Sequence, residues 1–130
     1  MPPGMSRKET GEEGERLAAA FLCKLGYRLL RRNWSACGGE IGIIARDGEE
    51  VVFAEVKCRS SAQWGDSEES VNLPKQRSIY LAARQFAGRY RLRDRTLRFD
   101  VVAVLLRGGG PPEIKHYKNA FAPPPFRRLR

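Results

Sequence analysis

Apolar and polar positions along the chain switch between two periods, and the switches mark out the elements. Leu17, Ala18, Phe21, Leu22 and Leu25 recur at helical spacing and predict the buried stripe of a first helix. That helix is expected to open at Thr10 or Gly11, with Glu12, Glu13 and Glu15 suited to its positive end, and to stop at Gly26. The period then falls to two. Tyr27 to Trp34 reads as a strand and Ser35 to Gly38 as a turn. Gly39 to Lys57, GEIGIIARDGEEVVFAEVK, reads as two strands closed at Asp47-Gly48, a strong hairpin signal. Ser60 to Asn72 is polar and long for a loop in a compact domain, which places it to contact a ligand.

A second helix is expected from Leu73-Pro74, with Ile79, Ala82, Ala83, Phe86, Ala87 and Tyr90 as its core face. Arg77, Arg84 and Arg91 recur every seven residues and predict a basic stripe on another face. Leu97 to Leu106 is almost continuously apolar, the mark of a strand buried on both faces. Asp100 lies inside it and needs a hydrogen-bond or arginine partner; Arg98 shares its face. Gly108 to Pro112 turns the chain, and Glu113 to Tyr117 reads as a short edge strand. The order is helix, three strands, helix, strand, short strand. Helix stripes and strand faces must cover one another, so an α/β fold follows, with a mixed central sheet flanked by helices. The expected organisation is an N-terminal arm over residues 1–10, one domain over 11–121, and a basic, proline-rich tail over 122–130.

Strand parity groups the side chains. With either Asp47-Gly48 or Gly48-Glu49 as the loop, Glu40, Gly42, Ile44, Phe53, Glu55 and Lys57 are expected on one face, and Ile41, Ile43, Val52, Ala54 and Val56 on the other. The first register sets Gly42 opposite Phe53 and the second sets it opposite Glu55. On the first helix, Glu15 sits at the edge of the apolar stripe, and is the acid best placed to look into the fold.

Composition narrows the function. The 130 residues carry a formal charge of +9, mostly as arginine, whose planar fork grips phosphate. Nucleic acid is the partner this favours over simple solubility. No apolar run is long enough to span a membrane, and the N-terminus has no apolar core of a secretory signal. The three cysteines, Cys23, Cys37 and Cys58, form no CxxC pair, lack zinc-ligand spacing, and fit reduced thiols in the cytoplasm.

Phosphodiester hydrolysis needs charge neutralisation and an activated water, which acidic side chains supply by holding a divalent cation. The pattern wanted is an acid on one strand and Glu-x-Lys on its neighbour, and Glu55-Val56-Lys57 supplies the second part. GEIGIIARDGEEVVFAEVKCR resembles the core motif of the YraN-like family of the PD-(D/E)xK nuclease superfamily. The likeness runs from Gly11 to Phe121. It includes Gly11-x-x-Gly14-Glu15, Gly26-Tyr27, Arg32-Asn33, Lys75, Arg98-Phe99-Asp100 and Asn119-Ala120-Phe121. The resemblance implies a restriction-endonuclease-like core, close to the archaeal Holliday-junction resolvases. It also implies a site of Glu15, the residue at 42, Glu55 and Lys57. The family motif carries Asp where this chain has Gly42, which removes the central metal ligand; Glu40, roughly 7 Å along the strand, is the nearest substitute.

Two readings from different classes follow. One is a nucleic-acid-binding protein, acting on DNA, with catalysis reduced or lost. The other is a Mg²⁺- or Mn²⁺-dependent endonuclease on branched or damaged DNA, with Glu15, Glu55 and Lys57 catalytic and Glu55 and Glu40 on the metal. A third is a protein-interaction domain without nucleic acid. Lys75, Arg77, Arg84 and Arg59 are the candidate nucleic-acid contacts. A homodimer is an analogy with the junction resolvases. His116, Trp34 and Trp64 are expected to pack rather than to act on substrate.

Overall fold

The computed structural model describes residues 5–60, 71–92 and 94–122. Its elements run α1 (Arg7–Lys24), β1 (Arg28–Ala36), β2 (Gly39–Asp47), β3 (Glu50–Arg59), α2 (Leu73–Arg89), β4 (Thr96–Leu105) and β5 (Glu113–Tyr117). The expected order is thus met. The strands form one mixed sheet in the order β1-β2-β3-β4-β5, with β3 and β4 parallel and the other pairs antiparallel. The parallel pair requires a crossover, and α2 provides it.

Each face of the sheet is covered by one helix. Ala18, Ala19 and Leu22 of α1 pack with Ile43, Ala45, Val52, Ala54, Val102 and Val104. Ile79, Ala82, Ala83 and Phe86 of α2 pack with Ile44, Phe53, Phe99 and Val101. β4 therefore feeds both cores, as its unbroken apolar run predicts.

Several boundaries differ from expectation. α1 opens at Arg7, not at Thr10, because Ser6 and Glu9 form a reciprocal capping box: the Glu9 N–H donates to Ser6 Oγ at 3.1 Å and the Ser6 N–H to Glu9 Oε1 at 2.9 Å. Residues 7–10, expected in a flexible arm, are helical. Leu25, expected in the stripe, is the exposed C-cap. α2 starts where expected, capped by Asn72, whose side chain accepts from the Lys75 N–H. It ends at Arg89, so Arg91 falls in a left-handed turn and leaves Arg77 and Arg84 as the helical part of the basic stripe. Trp34 packs edge-on against Phe86, as expected of a core residue. Trp64, most of the 60–72 loop and nearly all of the tail lie outside the described residues.

The hairpin takes the second register, with Asp47 paired to Glu50 around Gly48-Glu49. The expected face assignment fails on β2. Ile41 and Ile44, three residues apart, share the α2-side core, whereas Ile43 lies in the α1-side core. A Cβ built on Gly42 points at Glu15 of α1. Alternation is therefore broken at Gly42-Ile43, where the pairing of β2 with β3 ends. Gly42 is thereby taken off the face that carries Phe53.

Candidate functional site in the fork of the hairpin

The β2–β3 ladder ends at Ile43↔Ala54. Beyond it, Glu40 and Gly42 on β2 and Glu55 and Lys57 on β3 lie past the last paired residues, in a fork between the two strands. α1 reaches the fork from one side through Glu15. α2 reaches it from the other through Lys75, whose Nζ lies 3.8 Å from Glu55 Oε2.

Glu15 arrives there because α1 lies very close to β3. A Cβ at Gly14 would sit 2.6 Å from Cys58 Cβ and 2.7 Å from its Sγ, so only glycine permits this approach. The Asn33 amide, oriented by its hydrogen bonds, donates to both Glu15 oxygens at 2.7 and 3.1 Å. Asn33 lies between Arg32, paired with Ile43, and Trp34, paired with Ile41, and so faces Gly42 across the strands. Its φ of 52° is left-handed, a conformation asparagine tolerates better than most residues.

A Cβ at Gly42 would lie 3.3 Å from Glu15 Oε2 and 3.7 Å from Val56 Cγ2. The positive-φ glycines are 26, 38, 48 and 109, so the backbone at 42 is one that any L-residue can adopt. The backbone at 42 would thus accept a side chain directed at Glu15 once the end of Glu15 gives way by a few tenths of an ångström.

Burial dominates the electrostatics of the two acids. It raises the Glu15 carboxyl above its usual range; Arg32 opposes that, while Glu40 and Glu55 add to it. Burial also raises Glu55, whose side chain is 17% exposed, against the lowering pull of Lys75 and Lys57. Glu40 is exposed but close enough to act on both. The expected set of Glu15, Glu40, Glu55, Lys57 and Lys75 is therefore gathered around one fork. Arg59 lies further along β3, in a cleft of about 520 Å³ that it lines with Glu15, Arg7, Thr10, Val56 and Cys58. Arg77 is exposed, and Arg84 is drawn over the Tyr80 ring at 6.0 Å.

These residues do not fit a divalent cation as a complete ligand set. Among the described residues, no three His, Cys, Asp or Glu side chains are grouped to hold a metal ion. Glu15 is engaged by Asn33, and Glu55 faces Lys75. What the arrangement offers is a set of partly desolvated carboxylates beside two lysines, with a glycine facing Glu15. Asn33 was legible only as part of the Arg32-Asn33 motif; its contact with Glu15 depends on the break in strand alternation, which no periodicity signals.

A second polar cluster lies on the α1 side of the sheet. Arg98 donates to Asp100 at 2.9 Å from both Nε and Nη2, to Asp47 and Glu50 at 2.8 and 2.7 Å, and to the Tyr27 hydroxyl at 2.7 Å. Asp100 is fully buried and also meets His116 Nε2 at 2.8 Å and the Asn119 N–H at 2.9 Å. His116 is thus a packed, hydrogen-bonded residue, edge-on to Phe21 and Tyr27, as expected.

A five-stranded mixed sheet covered by one helix on each face, in this order, defines an α/β protein of the restriction-endonuclease-like class. The chain belongs to the uncharacterised protein family UPF0102, whose family model matches residues 14–104; this meets the YraN-like resemblance. It is similar to a UPF0102 protein of Trichlorobacter lovleyi, 42% identical over 91% of this chain and 94% of that one. It is also similar to UPF0102 proteins of Pelobacter propionicus, 45% identical over 88% and 83%, and Anaeromyxobacter dehalogenans, 42% over 91% and 87%. No described helix is long and apolar enough to cross a membrane.

Proposed function

We propose that the protein binds nucleic acid, DNA in the first instance, through a nuclease-like fold whose cleavage site is weakened at Gly42. One observation carries this reading: the position facing Glu15 in the fork has a backbone that any L-residue can adopt, and holds a glycine, so no side chain stands between Glu15 and Val56 there. The charge of +9 and the lysines at 57 and 75 suit phosphate. Lys57 and Lys75 would hold a phosphodiester, with Lys75 set beside Glu55 and Glu15 kept in place by Asn33.

The endonuclease reading keeps one observation in its favour. Burial raises Glu15 and Glu55 while Glu40 repels both, so the fork would gain from a cation. Cleavage of branched DNA with Mg²⁺ or Mn²⁺ separates the two. The wild type is expected to be weak or inactive. Gly42→Asp is expected to raise Mn²⁺ affinity at least tenfold by titration calorimetry, a carboxylate placed between Glu15 and Glu55 being what the site lacks. Strong wild-type cleavage abolished by Glu55→Ala would overturn the weakened-site reading, and an unchanged Mn²⁺ affinity in Gly42→Asp would overturn the placement of the site.

A further inference from the structure

Tyr90, expected in the core, instead ends α2 with 37% of its surface exposed. One side of its ring leans on Phe86 at 4.6 Å between centroids. The Arg31 guanidinium from β1 lies over the ring at 5.0 Å and that of Arg89 at 5.8 Å. Arg31 Nη1 donates to the neighbouring Leu30 carbonyl at 2.7 Å. Arg91 follows, exposed, in the left-handed turn. Among the described residues, none of the three arginines has a carboxylate partner, whereas Arg16, Arg95, Arg98 and Arg107 each have one.

A helix-end charge would explain Arg89 and an edge-strand charge Arg31. Neither explains why arginines from two separate elements converge on one ring with no acid between them. Like charges brought together repel, and the cost falls when an anion joins them. A guanidinium lying on a ring keeps its N–H edge free, in the geometry that grips phosphate oxygens in pairs.

We propose that Arg31, Arg89 and Arg91 around Tyr90 form a platform for the phosphodiester backbone of a nucleic acid, outside the fork. This rests on the nucleic-acid reading above. Phe86 and Arg31 occupy the ring, so base stacking is not what the platform offers, and its binding is independent of sequence. β1 links the two places. Arg31 pairs with Ile44 and turns to α2, while Arg32 pairs with Ile43 and acts on Glu15. A strand lying along the exposed β1 edge meets both. An anionic membrane is the poorer partner, because the arginines are held on a ring rather than spread on an amphipathic face.

The test is fluorescence anisotropy with a labelled DNA duplex across about 50–200 mM salt. Arg31→Gln with Arg89→Gln is expected to weaken binding about tenfold and to lower the slope of log affinity against log salt by about 2. The melting temperature should stay within a few degrees. Arg89→Gln with Arg91→Gln, which spares the contact of Arg31 with the Tyr90 ring, should do the same. If the wild type binds no nucleic acid, both this proposal and the reading beneath it fail. If it binds, and Lys75→Gln lowers the slope while neither arginine pair does, only the platform is overturned. Wild-type binding to phosphatidylglycerol vesicles that the arginine pairs abolish, with DNA binding intact, also overturns it.

Discussion

Asp100 and Glu15 are both carboxylates drawn out of water on the α1 side of the sheet, yet they end up in opposite states. Asp100 is completely buried, and burial alone would raise it. The hydrogen bonds from His116, Arg98 and the Asn119 N–H outweigh burial and hold it at about 2. Glu15 is less buried but has only an amide on its oxygens, and it is raised. Partners, not depth, decide the state of a buried charge. The Asp100 cluster is closed: four hydrogen bonds from three residues fill it. The fork is open, with Glu55 and Glu15 both raised and a position between strands left without a side chain. A closed cluster holds a fold together, and an open one is where a ligand has something to add.

The contrast is broken most directly at Arg98, which is 6% exposed and joins β4 to the hairpin through Asp47 and Glu50. Asp100→Ala should cost about 1–3 kcal/mol in denaturant unfolding, since it leaves Arg98 Nε and Nη2, His116 Nε2 and the Asn119 N–H without their buried acceptor while Asp47 and Glu50 still hold Arg98 Nη1. A cost below about 1 kcal/mol would mean that Asp47 and Glu50 alone satisfy Arg98 and that the cluster is not closed. The same carboxylate sets an acid limit. Its folded value lies below the unfolded value of about 3.9. The stability it contributes is therefore complete above about pH 4 and is lost as pH falls towards 2. Unfolding curves of wild type and Asp100→Ala should converge over that window.

Of similar size is the approach of α1. Gly14→Ala should destabilise by about 1–3 kcal/mol, because its Cβ would lie 2.6 Å from Cys58 Cβ. Pairing it with Cys58→Gly, which removes the obstructing atoms, should recover part of the loss. No recovery would show that α1 is not held off by this contact.

The smallest effect comes from the fork. Glu55 is raised in the folded protein, so its charge opposes folding as pH rises through its folded value. Glu55→Gln should therefore leave stability unchanged at low pH and raise the melting temperature slightly at neutral pH. A fall at neutral pH would mean that the Lys75 contact outweighs burial.

Much of this was legible along the chain. The element order, the mixed sheet and the Arg98–Asp100 pair follow from period and parity, because both residues sit two apart on an unbroken strand. Ser6-x-x-Glu9 carried the capping signal for the true start of α1, in a segment whose proline, glycine and charge favoured an arm. The face of Gly42 was not legible, since period-two reasoning assumes that a strand never slips. Arg31 and Tyr90 were separable only in three dimensions, where the end of one helix meets a distant edge strand.

Gly42 also has a consequence for descent. Its backbone is ordinary, and the space in front of it is bounded by the movable end of Glu15. Every glycine codon becomes an aspartate or glutamate codon by one change at its second base. A lineage carrying this chain therefore stands a single mutation from placing an acid in the fork, beside the acids and lysines already there.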